Sequence, residues 1–356
     1  MPYLGRDPST TVSAGPRPNL VENGEFIVAQ RGTVTSPGDN VYLTDRWKNH
    51  QTTGGAVTIT QDTSGIFSEW GTKTAMKIDV TTAESSVAAG DRFIVVQPIE
   101  AQNLQHLKYG RSDAESVTIS FCFRSPKSGT HYVVLWSGDG NRYIWRPFTV
   151  TSADTAEYFS LTFAGDTGGT INNDNGLGLN LIFPLMAGSN HTGGSDNTWA
   201  ANELQGATGT VQNLLDNTSN NIYIGRVKME VGTEATDFIF EDYTTTAIKC
   251  KRYFERWTFA ANKWLCIGAA YTASAATAPL FCQVEKRAAP TCTIATATGG
   301  DFLTGGGFTA MTDISFDDLT KEGGRVFMTC SSCMSQDEAV ACRVDLNNPI
   351  DFSAEL

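Results

Sequence analysis

The stretch SVTISFCFRS, residues 116–125, decides the fold class. Val117, Ile119, Phe121 and Phe123 fall on one side of an extended chain, with Thr118, Ser120 and Arg124 on the other. Alternation with period two is what a strand with one buried face requires. The pattern recurs in both directions along the chain. TAMKIDV (74–80) sets Met76, Ile78 and Val80 against Lys77 and Asp79, and YFSLTFAGD (158–166) aligns Phe159, Leu161 and Phe163. NIYIGRVKMEVG (221–232) aligns Tyr223, Val227, Met229 and Val231 opposite Arg226, Lys228 and Glu230. Each run predicts an antiparallel strand with one dry and one wet face. Separated by Gly, Asn and Asp turns, these strands predict an all-β, antiparallel jelly-roll sandwich over residues 19–245. Nothing between them reads as a crossover helix, which disfavours a parallel α/β fold.

Composition agrees. Of 356 residues 40% are hydrophobic and only 18% charged, with 34 glycines, a mix that suits short strands and polar turns. The net charge of −12, from 26 basic and 38 acidic residues, comes without a basic run, so no nucleic-acid partner is expected. No stretch approaches the length of a membrane span, so no membrane insertion is expected. The first residues lack the basic and apolar blocks of a signal peptide, from which we expect folding in a cytoplasm. There, eight cysteines are expected as reduced thiols rather than a disulfide framework.

Residues 1–18, MPYLGRDPSTTVSAGPRP, have no periodicity and predict an extended arm for attachment to a neighbouring chain, with Tyr3, Leu4 and Arg6 as its assembly contacts. In AIKCKRYFERW (247–257), Ala247, Cys250, Phe254 and Trp257 recur at helical spacing, which predicts a short helix leading into a smaller β-rich domain, 246–356. Alternation returns there, with Val340, Cys342 and Val344 set against Ala341, Arg343 and Asp345.

A nucleophile elbow, a phosphate-binding loop and an HExxH zinc motif are all absent, and none of His50, His106, His131 and His191 sits in a motif that needs it. His131 reads as a strand-edge residue and His191 as a loop residue. Carboxylates cluster in turns such as AGDTGGTINNDNG (164–176), where Asp and Asn serve the backbone; loops 165–176 and 187–198 could hold Ca²⁺ but lack EF-hand spacing. Cys330-Ser-Ser-Cys333 raises zinc, but Cys282 and Cys292 are too widely spaced for a second ligand pair. The cysteines of this domain read instead as small buried hydrophobes. Neither metal nor cofactor is expected. Trp136 and Trp145 lie on strand patterns and read as core, whereas Trp70 and Trp199 lie in polar loops. Those two could stack on a sugar or pack their loops onto the sandwich.

Several motifs in order resemble a phage tail-fibre and virion structural protein family. They are NLVENGEFIVAQRGT (19–33), YLTDRW (42–47), FCFRSPKSGTHYVVL (121–135), FTVTSADTAEYFSLTFAGDTGGT (148–170), GLGLNLIFPLMAG (176–188), NTW (197–199), VKMEVGTEATDFIFEDY (227–243), CKRYFERW (250–257), KRAAPT (286–291) and the ending FSAEL (352–356). The resemblance implies a carbohydrate-binding-module-like jelly roll followed by a small β domain, in a homotrimer at the virion periphery, on tail or capsid. With catalytic motifs missing, we expect a non-enzymatic role in host attachment, with other virion proteins as partners through the arm. A host surface glycan would then be met by Trp70, Trp199 and His191, while Asp45, Arg46 and Trp47 are structural. Capsid decoration and polysaccharide depolymerisation are the alternatives.

Overall fold

The computed structural model describes residues 15–259, 263–294, 300–304, 307–344 and 349–356. Tyr3, Leu4 and Arg6, and most of the 1–18 arm, lie outside these residues. The chain forms two compact units, which divide between Tyr243 and Thr244.

Among the described residues the first unit holds twelve strands: β1 (Val34–Thr35), β2 (Lys48–Thr52), β3 (Ala56–Asp62), β4 (Ala75–Thr82), β5 (Arg92–Glu100), β6 (Val117–Arg124), β7 (Gly129–Ser137), β8 (Arg142–Val150), β9 (Ala156–Phe163), β10 (Leu177–Ala187), β11 (Ala200–Ala201) and β12 (Asn221–Val231). They make two six-stranded sheets, ordered β1-β3-β4-β12-β6-β9 and β11-β8-β7-β10-β5-β2. Their pairings are antiparallel, and the chain passes repeatedly from one sheet to the other. This is the antiparallel jelly-roll sandwich that the alternation predicts. Val117, Ile119 and Phe121 of β6, and Met76, Ile78 and Val80 of β4, point into the core between the sheets. Phe121 is the hub, with edge-on contacts to Phe148 and Phe183, each at 5.1 Å between ring centres.

The expected wet face of the first sheet is not wet. Thr118, Ser120, Lys228 and Glu230 are all buried. The reason is covering chain: residues 233–240 run across that face, and residues 17–20 lie along the edge of β12. Arg17 donates to the Val231 carbonyl at 2.8 Å, and Thr118 Oγ1 to the Gly232 carbonyl at 2.8 Å. Lys228 and Glu230 form an ion pair at 3.0 Å, and Lys228 also donates to Thr236 Oγ1 at 2.7 Å and to the Asp237 carbonyl at 2.9 Å. Alternation alone cannot foresee this, because the cover comes from outside the strands themselves.

Strand β12 also departs from the expected phase. A bulge between Gly225 and Lys228 leaves Arg226 at φ +50°. Before it Ile222 and Ile224 enter the core; after it Val227 and Met229 do. Tyr223 is therefore turned away from them, under the Arg124 guanidinium at 5.1 Å. An extra residue in a strand shifts the side-chain phase in this way.

His131 is not an edge residue. It is buried between Phe123 and Phe148, Nε2 lies 3.0 Å from the Lys127 carbonyl, and burial lowers its pKa.

Glu25 lies beside Glu241, Arg226 and Thr72, and burial outweighs its hydrogen bonds and Arg226 to raise its pKa to about 7. A folded-state pKa above the ordinary value means that the unfolded chain gives up this proton first. Stability therefore falls as pH rises from about 4.5 to about 7. His131 acts in the opposite sense, its buried neutral ring losing stability as pH falls below the ordinary histidine range. Substitution separates the two. Glu25→Gln will flatten the decline between pH 5 and 8 and raise the melting temperature at pH 8; an unchanged pH profile would refute this reading.

The second unit opens with α1 (Tyr243–Lys251), followed by ten strands: β13 (Phe254–Trp257), β14 (Lys263–Thr272), β15 (Ala275–Phe281), β16 (Thr291–Ile294), β17 (Gly300–Thr304), β18 (Gly307–Ala310), β19 (Asp313–Asp317), β20 (Gly323–Thr329), β21 (Ala339–Val344) and β22 (Ile350–Ser353). The helix is shorter than expected: Phe254 and Trp257 belong to β13, paired with β22, so their helical spacing is coincidental. A three-stranded sheet, β13-β22-β16, accompanies a seven-stranded one, β18-β17-β21-β14-β15-β20-β19. Val340 and Cys342 enter the core, as alternation predicts; the Val344 side chain and Asp345 lie outside the described residues.

The cysteine expectation needs correction. Cys330 and Cys333 are joined in a disulfide, their Cα atoms 6.1 Å apart and so within bridging reach. Cys122, Cys250, Cys266, Cys282, Cys292 and Cys342 stay outside this disulfide as thiols. Burial pushes the Cys122 and Cys292 thiols up to about 12.

Candidate functional site: the outer face of the second sheet

The family-like motifs come together in space, and they do so as locks. Asn23 donates to the carbonyls of Val28 and Asp45 at 2.9 and 3.0 Å. Asp45 accepts from the Gln30 backbone at 2.7 Å and the Gln30 side chain at 2.6 Å. Arg46, 1% exposed, donates to Glu22 at 2.8 Å and to the Pro98 carbonyl at 2.6 Å. Trp47 is fully buried, 5.0 Å from Phe26. The NG-aromatic and DRW segments thus tie each other down and spend their polar groups on each other. In the second unit Lys286 of KRAAPT donates to the Lys251 carbonyl and to Glu255 of CKRYFERW. Arg287 donates to the carbonyls of Ala354 and Glu355 in the ending FSAEL.

The three sugar-site candidates fall in three different environments. Trp70 ends a 3₁₀ turn, Ser68–Trp70, half-buried and edge-on to Phe67 at 6.3 Å. Trp199 is half-buried against Tyr109 at 5.6 Å, and its indole donates to the Ala164 carbonyl at 2.7 Å. His191 Nε2 lies 3.1 Å from the Gly90 carbonyl, in the segment 189–211. That segment lies over the outer face of the second sheet. Trp145 donates to the Gly193 carbonyl at 2.9 Å, and Tyr132 meets Thr210 through their hydroxyls. Gly194, at φ +77°, leaves no room for a Cβ, which would run into the Tyr143 hydroxyl. Arg92 and Glu203 pair at 3.1 Å and anchor the segment to β5.

The outer face itself holds a feature that the sequence pattern does not announce. Trp136 and Trp145 do not enter the core between the sheets; they lie on the opposite face with Ile94, Val96, Tyr132, Val134, Tyr143 and Ile182. Strand register places Tyr143, Trp136, Asn180 and Pro98 in one row across four strands. Trp136 is half-buried. Its Nε1–H and the Oδ1 of Asn180, on the adjoining strand, have no hydrogen-bond partner among the described residues. A buried polar atom left unpaired costs about 1–3 kcal/mol, and neighbouring donor and acceptor atoms in that state suit a group that both accepts and donates. A hydroxyl does both. Among the described residues, no three His, Cys, Asp or Glu side chains gather as metal ligands would.

No family model and no curated protein matches the chain. Among solved structures, the enzymatically active domain of tailspike protein 4 of bacteriophage CBA120 is 12% identical. The match covers 60% of this chain and 21% of that one, so the chain spans about a fifth of that domain, at a TM-score of 0.33. A CBM4 module is 14% identical over 60% of this chain and 99% of its own, at 0.31. A family 11 carbohydrate-binding module from Clostridium thermocellum, in complex with a mixed-linked β-1,3-1,4 tetrasaccharide, is 12% identical over 58% and 98%, at 0.28. Likenesses this distant assign no chemistry to the chain.

Proposed function

We propose that this protein is a non-enzymatic phage virion protein, a tail-fibre or receptor-binding component that attaches to host surface glycan. The observation that carries the glycan reading is the unpaired Trp136 Nε1–H and Asn180 Oδ1, on adjoining strands at the sandwich's outer face. A pyranose presents apolar C–H groups that stack on an indole, and hydroxyls that satisfy a donor and an acceptor together. The order of family-like motifs supports the phage setting. We place the protein at the virion periphery as a homotrimer, held to other virion proteins through the 1–18 arm.

The test is binding of purified protein to bacterial host cells before and after periodate oxidation of their glycans. Binding lost on oxidation, with no reducing ends released from untreated cells, is the expected result. Binding that survives oxidation removes the glycan reading, and release of reducing ends removes the non-enzymatic one.

One observation favours a second reading, capsid decoration. Trp70 and Trp199 both pack their loops onto the sandwich instead of standing free. Finding the protein on capsids, with no affinity for host cells, would decide for it.

A further inference from the structure

A sheet with one face on a core ordinarily turns its polar residues outward. The seven-stranded sheet of the second unit does so only in part. Its inner face is lined by residues of mixed size, among them Ala276, Ala278, Leu280, Phe302, Val326 and Cys342. Its outer side also carries large apolar residues: Trp264 is 52% exposed, Ile267 75% and Phe308 52%, with Tyr271 at 67% and Phe281 at 71% on β14 and β15. Register turns these into continuous rows. Ile267, Ala341, Leu303 and Phe308 follow one another across β14, β21, β17 and β18, and Trp264, Arg343 and Asp301 form the next row. The Trp264 and Phe308 rings lie nearly parallel, 6.2 Å apart. A contiguous apolar face of this kind marks a surface that something covers.

The charges identify the occupant. Arg343 pairs with Asp301 at 2.6 Å, and Arg325 with Asp317 at 2.7 Å, each across adjacent strands of this same sheet. The arginines of the face are thus already neutralised within it. A charged partner would need those groups for recognition. A second copy of the same face needs only apolar surface and the absence of repulsion. In a chain of net charge −12, a patch neutralised in this way is where two copies approach at least cost. We propose that the outer face of the seven-stranded sheet, centred on Trp264, Ile267 and Phe308, is where copies of this chain meet. Identical patches then associate around a closed symmetry axis.

This contact would serve the proposed homo-oligomer and does not involve the sugar site, so the two fail separately. Sedimentation of the full chain is the measurement. The wild type is expected to sediment as an assembly, and Ile267→Asp and Phe308→Ser to fall to the single-chain mass while keeping the wild-type circular dichroism spectrum. An equimolar mixture of Ile267→Asp and Ile267→Lys is expected to regain assembly in part, since two of the three contacts in a mixed trimer pair opposite charges, which a folding defect would not permit. A wild type that remains a single chain at all concentrations, or variants that assemble as it does, would overturn the inference. If that single chain also loses retention on immobilised glycan through Trp264→Ala, the face is a sugar platform instead.

Discussion

Replacing Lys286 by methionine is expected to destabilise the second unit by about 3–5 kcal/mol, the cost of leaving a buried charge without its counter-ion. Lys286 and Glu255 are both fully buried, with Nζ 2.5 Å from Oε2. Lys286 also donates to the Lys251 carbonyl at 2.6 Å, so one ammonium joins β13, the end of α1 and the KRAAPT segment. Without it, Glu255 keeps the Trp257 indole at 2.7 Å and the Gln283 amide at 3.3 Å, too little for a carboxylate out of water. The double variant Lys286→Met with Glu255→Leu is expected to recover most of the loss, since no charge is then stranded. Urea unfolding of the three proteins checks this. A single variant within about 1 kcal/mol of wild type would mean that the pair is solvated and contributes little.

The second large effect belongs to the first unit. Trp47→Ala is expected to cost about 3–5 kcal/mol, as full removal of a buried indole does. Trp47 stands between Phe26 and Phe183, 5.0 and 6.2 Å from their ring centres, at the junction of the NG-aromatic and DRW segments. Its removal opens a cavity there and loosens the Asn23 and Arg46 hydrogen bonds that close the sandwich edge. Trp47→Phe, which keeps an aromatic ring, is expected to cost less than half as much. Thermal or urea unfolding of the two variants beside the wild type measures this. Equal losses would show that the indole N–H, 3.4 Å from the Asn23 carbonyl, matters more than the ring that fills the space.

The fold is legible wherever a strand keeps its phase. In β4 and β6 the alternation names the core residues directly, because both strands pair regularly over most of their length. It fails at Tyr223, since nothing in NIYIGRVKMEVG marks the bulge at Arg226. It fails again at Thr118, Ser120, Lys228 and Glu230, whose polar character is plain but whose cover comes from segments outside their own strands. The family-like motifs are legible as sequence, and the lock that Asn23, Asp45 and Arg46 form is not, because it needs the chain to fold back over some twenty residues.

The candidate site is less legible than the fold. HYVVLWSG (131–138) is apolar on both faces, and such a run cannot say which side meets the other sheet. Trp136 therefore reads as core although it belongs to the outer face. Asn180, inside the apolar run GLGLNLIFPL, is the one available signal: a lone polar residue at the centre of a strand needs a partner, and none of the described residues supplies one to Oδ1. In the second unit both faces of the large sheet carry apolar residues, Phe302 and Met328 inward and Trp264 and Ile267 outward.

Retention of the purified chain on an array of bacterial surface glycans, measured alongside Trp136→Ala, tests the glycan-binding face most directly. The wild type is expected to keep a defined subset of sugars, and Trp136→Ala to lose them at least tenfold while melting at nearly the same temperature. A wild type that retains nothing, or a Trp136→Ala variant that retains the same sugars equally well, would contradict it.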